Sequence, residues 1–561
     1  MIENKIDQVE VRGLGRWLKL FFVVSLLFFF PGCGGGGGSD SGPTWTIMVY
    51  LDGDNNLETE ALNDFNEMEL ARFSSRTKVV VLFDRSDKVG GGYTTAQGGW
   101  SDTRLYEILP DSNSAAISSK RLEDPDGLGI TLDGTRELNM GSGETLKRFV
   151  AFGKQAYPAE KTALIVWNHG SGWVPPPADG EPWVTRAVAY DGESKNDALT
   201  MVEIAGALEG QSVDFLGFDA CLMAEAEVAW ELKDSASYML ASQGLEPSAG
   251  WNYTAFLNDF TNLSDEGKTP VGLAGAIAKS YMADTYSGIP LTLSLFDLKG
   301  LSPLMDAIND LGTTITESGA GKDSVTRARS DAASYNDKMV VDLLHFAKAL
   351  KGADDVADVT DALSKAIVRN WAQQEEAACG VSLYFPIFGF NDGYFEDYTS
   401  ALTAFSKGSS WDEALLSYKE DCRYWYVETF GPTSLSVLPD TFIRLYAPNG
   451  SSAYAENDNK PGTSVTFLSG LKVPVASGST YHVKITQKDQ GVFIPSTQKT
   501  GYYVYASETQ VAYPDGDFPI TDPEESQEDD TAQQAKSLTP GIPMPGFISA
   551  GDTDWVRFAV P

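Results

Sequence analysis

An α/β fold with a mostly parallel sheet, followed by a small all-β sandwich, is predicted by three features of the 561-residue chain. Short apolar runs with no polar alternation recur from Trp45 to about Pro386. Amphipathic stretches of helical period separate them. Near Arg423 the texture changes to short aromatic and β-branched segments punctuated by glycine turns.

The runs TWTIMVYL (44–51), KVVVLF (78–83), ALIVWN (163–168), VDFLGF (213–218), YMLAS (238–242), LTLSLF (291–296) and VSLYF (381–385) read as strands. A strand covered by helices on both faces has no solvated side, so its apolar residues need not alternate. Helical patterns cover Glu144–Ala156, Met201–Leu208, Leu222–Leu232 and Val271–Met282. Strands alternating with helices make a layered α/β fold over residues 44–420. From 423 to 508 the segments YWYVETF, DTFIRLYA, SVTFL, YHVKITQ and GYYVYA predict one β-sandwich module. An acidic, proline-containing linker follows at 509–532. DTDWVRFAV (552–560) echoes CRYWYVETF (422–430), so 533–561 reads as the start of a second β-module, cut short after its first strand or two.

Composition sets limits on function. With 42% hydrophobic and 21% charged residues the chain is ordinary globular protein. A net charge of −36 argues against a nucleic-acid partner, which would require clustered Lys and Arg. Four cysteines (Cys33, Cys221, Cys379, Cys422) do not make a disulfide scaffold in so long a chain.

At the N-terminus Lys5, Arg12, Arg16 and Lys19 precede the eleven-residue apolar run Leu20–Phe30. Such a run is short for a bilayer span and suits a signal-peptide core. Gly32-Cys33 and a Gly/Ser tether at 34–43 follow, so residues 1–33 resemble a bacterial lipoprotein signal with Cys33 lipidated. Phe30 and Pro31 depart from that pattern, and an ordinary signal peptide with an incidental cysteine is the alternative. Either reading implies export, and a lipidated Cys33 would keep the protein in the bacterial cell envelope. A lipid anchor would hold the protein on a membrane facing the exterior or the periplasm.

Two strand ends carry the chemistry. ALIVWN runs into His169-Gly170-Ser171-Gly172-Trp173, and VDFLGF runs into Asp219-Ala220-Cys221. Ligands of an open parallel sheet bind outside the carboxyl ends of its strands. The helix expected after Cys221 would favour its thiolate. A lone His or Cys is more often structural. Here only three histidines exist, and His345 and His482 lie in an amphipathic helix pattern and in the β-module. Neither a GxSxG elbow nor an HExxH motif is present, so the commonest other hydrolases are excluded.

At these residues the sequence resembles the clostripain family of cysteine peptidases. WTIMVYLDGDNNLE (45–58), ALIVWNHGSGW (163–173), VDFLGFDACLMAEAEVAWEL (213–232), ASQGLEPSAGWNY (241–253) and GVSLYFP (380–386) are similar to its landmark segments, in the same order. The resemblance implies a caspase-like three-layer sandwich, with His169 as catalytic histidine and Cys221 as nucleophile. The backbone N–H groups of Gly170 and Cys221 are the candidates for the oxyanion hole. It also implies cleavage after Arg or Lys, with Asp219 in the substrate pocket; the bland role for Asp219 is a turn or helix cap. Asn252 stands where relatives often carry a second pocket acid. Asp52 and Asp54 are read as compensating acids, turn residues or calcium ligands. No metal is required for the chemistry, and bound calcium is left open. Within the Pro/Gly/Asp-rich segment Trp173–Asp197, self-cleavage is expected at Arg186–Ala187. The C-terminal segments GDTDWVRF and DTFIRLYAPNG resemble the pre-peptidase C-terminal β-domains of secreted bacterial peptidases. The rival reading is a catalytically silent caspase-like surface lipoprotein that acts as a binding protein.

Overall fold

A computed structural model describes residues 44–561 except 87–94, 174–187, 196, 284–288, 318–321, 336–338, 376–377, 387–397, 422–423, 431–440, 447–452, 458–468, 488–499, 509–534, 541, 543 and 549–552. Cys33 and the tether, Arg186, Ala187, Cys422 and the acidic linker lie outside the described residues.

In chain order the first part comprises β1 (Trp45–Gly53), α1 (Glu58–Leu70), β2 (Thr77–Arg85), β3 (Arg104–Glu107), β4 (Lys120–Leu122), α2 (Gly143–Ala156) and β5 (Lys161–Trp167). Next come β6 (Val188–Asp191), β7 (Asp197–Leu199), α3 (Met201–Leu208), β8 (Val213–Asp219), α4 (Ala226–Glu231), β9 (Ala236–Ala241), α5 (Tyr253–Thr261), α6 (Pro270–Tyr281) and β10 (Leu291–Asp297). They are followed by α7 (Ser302–Glu317), α8 (Lys322–Asp331), β11 (Ser334–Tyr335), β12 (Val340–Asp342), α9 (Leu343–Lys351), α10 (Ala357–Ala366), β13 (Ile367–Gln373) and β14 (Ser382–Tyr384).

Nine strands form one sheet in the order β13-β10-β9-β8-β5-β1-β2-β3-β4. Its centre, β9-β8-β5-β1-β2, is parallel, and antiparallel strands finish both sides. The lack of alternation in β1 has the expected cause. Ile47, Val49 and Leu51 pack with Phe65, Phe256 and Ile277 of α1, α5 and α6 on one face. Met48 and Tyr50 pack with Phe149, Val150 and Ile204 of α2 and α3 on the other. The result is a three-layer α/β sandwich with a core on each side of the sheet. Helix starts are fixed by local chemistry: Thr200 and Glu203 make a reciprocal capping box on α3, and Thr269 caps α6 just before Pro270.

Two expected elements differ. VSLYF does not join the large sheet; β14 pairs antiparallel with β12 in a separate three-stranded sheet. The helix expected over Leu222–Leu232 begins only at Ala226, because the residues after Cys221 hydrogen-bond to the strand-end loop of β9 instead.

The C-terminal part contains β15 (Tyr424–Phe430), β16 (Thr441–Tyr446), β17 (Ala453–Asn457), β18 (Gly470–Pro474), β19 (Thr480–Gln487), β20 (Thr500–Ser507), β21 (Lys536–Ser537), β22 (Met544–Ile548) and β23 (Thr553–Ala559). They form two sheets, β18-β15-β20-β22 and β17-β16-β19-β23-β21. The last strands therefore do not open a second module. β23 pairs with β19 along seven residues, β22 pairs with β20, and Phe558 stacks on Trp425 at 5.2 Å between ring centres. The echo between 422–430 and 552–560 reflects two strands contributing aromatics to one core.

Deleting 533–561 from the full chain is thus expected to unfold the sandwich and expose 424–508 to trypsin. A truncated chain in which 424–508 stays protease-resistant would contradict this pairing.

Candidate active site

β5 and β8 are adjacent and parallel, with Trp167 opposite Asp219. The chain therefore leaves both strands side by side, and Asn168 N–H donates to Asp219 O at 3.3 Å. Two residues on, the loops touch through backbone: a Cβ on Gly170 would lie 2.4 Å from Cys221 O. Only glycine allows that approach. His169 and Cys221 consequently line one cleft, together with Leu57, Asp219, Glu246, Pro247, Ser248 and Gly250.

The nucleophile loop is held by its neighbour rather than by a helix. Leu222 takes the left-handed conformation (φ 66°). Its N–H donates to Gly244 O at 3.0 Å, and Ala224 N–H to Ser242 O at 2.9 Å. Since α4 starts five residues after Cys221, its N-terminus does not support the thiolate as expected. Burial pushes the Cys221 thiol above its ordinary value, and nearby Asp219 adds to this. The opposing influence is the Glu246 N–H, which donates to Sγ at 3.2 Å.

Asn56, in the loop after β1, orients the histidine: His169 Nε2 lies 2.9 Å from Asn56 Oδ1. An amide oxygen only accepts, so Nε2 carries the proton and Nδ1 is the free base. Tyr190 meets the imidazole edge-to-face at 6.2 Å. Burial lowers the imidazole pKa. Burial thus favours the uncharged form of both groups, thiol at Cys221 and neutral imidazole at His169.

Asp219 is buried at the base of the cleft. Tyr253 OH donates to its Oδ2 at 3.0 Å, and Trp251 N–H donates to Oδ1 at 3.2 Å. Gly250 (φ 57°) leaves no room for a side chain above it. The cap of α4 is Glu225, so Asp219 has no capping duty there. Beside it stands Glu246, whose two carboxylate oxygens are buried and face Asp219 and Trp251. Neither acid has a cationic partner among the described residues. Burial raises Asp219 to about 7 and Glu246 well above the ordinary carboxylate range.

The other expected pocket residues lie elsewhere. Asn252 caps α5, accepting Ala255 N–H at 2.8 Å. Asp52 is fully buried and accepts from Asn168 Nδ2 at 2.8 Å. Asn168 Oδ1 in turn receives the N–H of His169, so Asp52 positions the histidine loop and does not line the cleft. Asp54 turns into a carboxylate group with Asp84, Glu137 and Asp191. Cys379 is structural, its N–H donating to Asp342 and its thiol to Val381 O. His345 Nδ1 accepts Ala333 N–H at 3.1 Å. Arg186 and Ala187 lie outside the described residues, but Val188 is bridged to Gly170 beside His169.

A model of the clostripain family matches residues 49–425, a span that contains every cleft residue. Clostripain of Hathewaya histolytica is 38% identical over 220 residues. That alignment covers 37% of this chain and 40% of the relative, so it spans about two fifths of the relative's length. Among solved structures, a secreted C11 cysteine protease from Bacteroides thetaiotaomicron in complex with an irreversible peptide inhibitor aligns with a TM-score of 0.49. Its identity is 19%, over 65% of this chain and 99% of that one. An inactive zymogen C11 protease from Parabacteroides distasonis aligns with a TM-score of 0.46 and 19% identity, over 68% and 99% of the two chains.

Iodoacetamide alkylation of Cys221 in the free protein should rise through a pKa above the ordinary cysteine value. A midpoint below pH 7 would reveal a preformed thiolate–imidazolium pair and contradict the neutral resting state.

Proposed function

From the premise that the chain belongs to the clostripain family, we propose that it is a cysteine endopeptidase cutting proteins or peptides after Arg or Lys. The observation that supports this most is one cleft holding a histidine, a cysteine and two buried carboxylates with no cationic partner among the described residues. Cys221 Sγ attacks the scissile carbonyl carbon while its proton passes to His169 Nδ1. The backbone N–H groups of Gly170 and Cys221 receive the developing oxyanion. His169 returns the proton to the leaving amine, the C–N bond breaks, and an acyl-enzyme is left. Water, deprotonated by His169, then releases the acid and restores the thiol.

Asp219 supplies the pocket charge, and Glu246 takes the place of the second acid that Asn252 does not provide. In the empty pocket the two carboxylates repel, so they hold a shared proton near neutral pH. An entering guanidinium or ammonium displaces it. At the other end, residues 1–33 act as a lipoprotein signal, Cys33 carries the anchor, and the enzyme works in the cell envelope. No helix among the described residues is long and apolar enough to cross a membrane.

Cys221→Ala and His169→Ala should each abolish peptide hydrolysis without loss of fold; turnover by purified Cys221→Ala protein would sink the assignment. Asp219→Asn should weaken selection of basic residues by about 10- to 100-fold, the ~1–3 kcal/mol of a charge-assisted contact. The sign of the pH effect follows from burial. Below about 7 Asp219 is protonated and the pocket loses its charge. On a basic substrate kcat/KM should therefore fall as pH drops through about 7, and kcat only at lower pH, because the bound cation keeps the carboxylate ionised. A kcat/KM profile flat down to pH 5 would contradict the pocket role.

Self-cleavage at Arg186–Ala187 belongs to the same reading, since Val188 is already bridged to the histidine loop. N-terminal sequencing should find Ala187 as a new terminus in wild-type protein and not in Cys221→Ala. A fully active single chain would show that the cut is not needed.

A further inference from the structure

A second cavity, of about 470 Å³, adjoins the cleft along α1. Ser248 lines both, and Leu57 of the cleft lies one helical turn before Glu60 of the cavity. One face of α1 forms a wall of this cavity. Glu60, Asn63, Asp64 and Glu67 recur at the three- and four-residue spacing that brings side chains onto one side of a helix. Ala61, Leu62, Phe65 and Met68 turn the other way, into the core. The helix thus offers the cavity three carboxylates, and no Lys, Arg or His lines it among the described residues.

Asp64 is 2% exposed and accepts from Trp167 Nε1 at 2.7 Å. Burial, then the charges of Asp219 and Glu67, raise its carboxyl well above the ordinary range, so cavity and cleft share one field of negative charge. Glu67 Oε2 accepts Tyr253 N–H at 2.8 Å, and the same tyrosine donates its hydroxyl to Asp219. Asn66 lines the cavity and is only 5% exposed. Its Nδ2 donates to Leu62 O, while its Oδ1 is buried without a hydrogen-bond partner. An acceptor withheld from water and left without a donor is costly.

Three acids exclude an anionic or apolar occupant. A metal ion needs oxygens gathered around one point, but Glu60 and Glu67 stand about 10 Å apart along the helix. An extended cation fits that spread, and the volume falls within the ~300–1,000 Å³ of ligand sites. We propose that the cavity is a second cation subsite taking an Arg or Lys side chain of the substrate near the cut, so that the enzyme prefers bonds where basic residues cluster. The subsite presupposes that the cleft itself cuts after Arg or Lys. A guanidinium or ammonium brings several N–H donors, enough for the acids and for Asn66 Oδ1. Successive Cα atoms of a peptide are about 3.8 Å apart, and Ser248 belongs to both walls. The second basic residue therefore lies within about three positions of the cut.

The test gives the full-length enzyme peptides with one fixed Arg, in which each of the three positions on either side carries Gln or Lys in turn. Mass spectrometry counts initial cleavage at the fixed Arg bond alone. Lys at one position should raise kcat/KM for that bond about tenfold over Gln, chiefly through KM, with little change at the others. Glu60→Gln should reduce this Lys/Gln ratio at least threefold. Asn63→Lys, which places a cation at an exposed position of the cavity, should bring it to one or below. The ratio is read within each variant, so a general loss of activity does not enter it. Cleavage at Arg with a ratio of one at every position would overturn the subsite and leave cleavage after Arg standing. A ratio raised alike at all positions and removed by salt would reduce the effect to the net charge of the protein, and a ratio unchanged in both variants would place the preference elsewhere; either result overturns the subsite. No cleavage of any Arg peptide would overturn the subsite together with the reading of the cleft.

Discussion

The parallel register of β5 and β8, with Trp167 beside Asp219, is the constraint from which the active site follows. It sends two chain segments off the sheet at one point and in one direction. Close backbone contact at Gly170 then fixes how far apart histidine and cysteine can stand. Neither side chain rests on a helix terminus. Each is held through neighbouring loops: Cys221 by the segment 242–246 after β9, His169 by Asn56 and by the Asn168–Asp52 pair after β1. The ends of four adjacent parallel strands thus supply the hydrogen bonds that hold both residues, and Tyr190 of β6 adds a ring contact to the imidazole. This is how an open sheet converts strand order into a site.

Carboxylates are also placed inside, at a cost. An exposed acid contributes to solubility and little else, but Asp219, Glu246, Asp54 and Asp84 have been moved out of water without a cationic side chain in contact among the described residues. Burying such a charge unpaired is expensive, so the groups hold protons until a cation arrives. In the proposed function, the cation that enters the cleft is the basic side chain of a substrate. Stability lost in the empty protein returns as affinity.

Much of this was legible in the sequence because it depends on period and position. Strands β1, β2, β5, β8, β9 and β10 stood out because both of their faces are covered, and α2, α3 and α6 because one face is. His169, Cys221 and Asp219 were marked by strand ends and by scarcity. What could not be read depended on partners distant in sequence. Asn56 and Glu246 are ordinary polar residues until folding brings them to positions 169 and 221, although both lie within segments already singled out, DGDNNLE and ASQGLEPSAGWNY. The short helix α4 was overestimated because Leu222–Leu232 has helical composition, while Leu222 and Ala224 give their N–H groups to the β9 loop. The last strands were assigned to a new module because a repeat in sequence does not say which sheet a strand joins; that is decided by the open edges of β19 and β20.

The most direct test of the central claim is covalent labelling by a peptide ketone that carries Arg next to its electrophile, followed by mass spectrometry of the intact protein and its fragments. One adduct on Cys221 is predicted, forming much faster than with a reagent carrying Asp in place of Arg and lost in His169→Ala. Absence of an adduct, an adduct on Cys379, or equal rates for the two reagents would contradict a basic-residue peptidase built on His169 and Cys221.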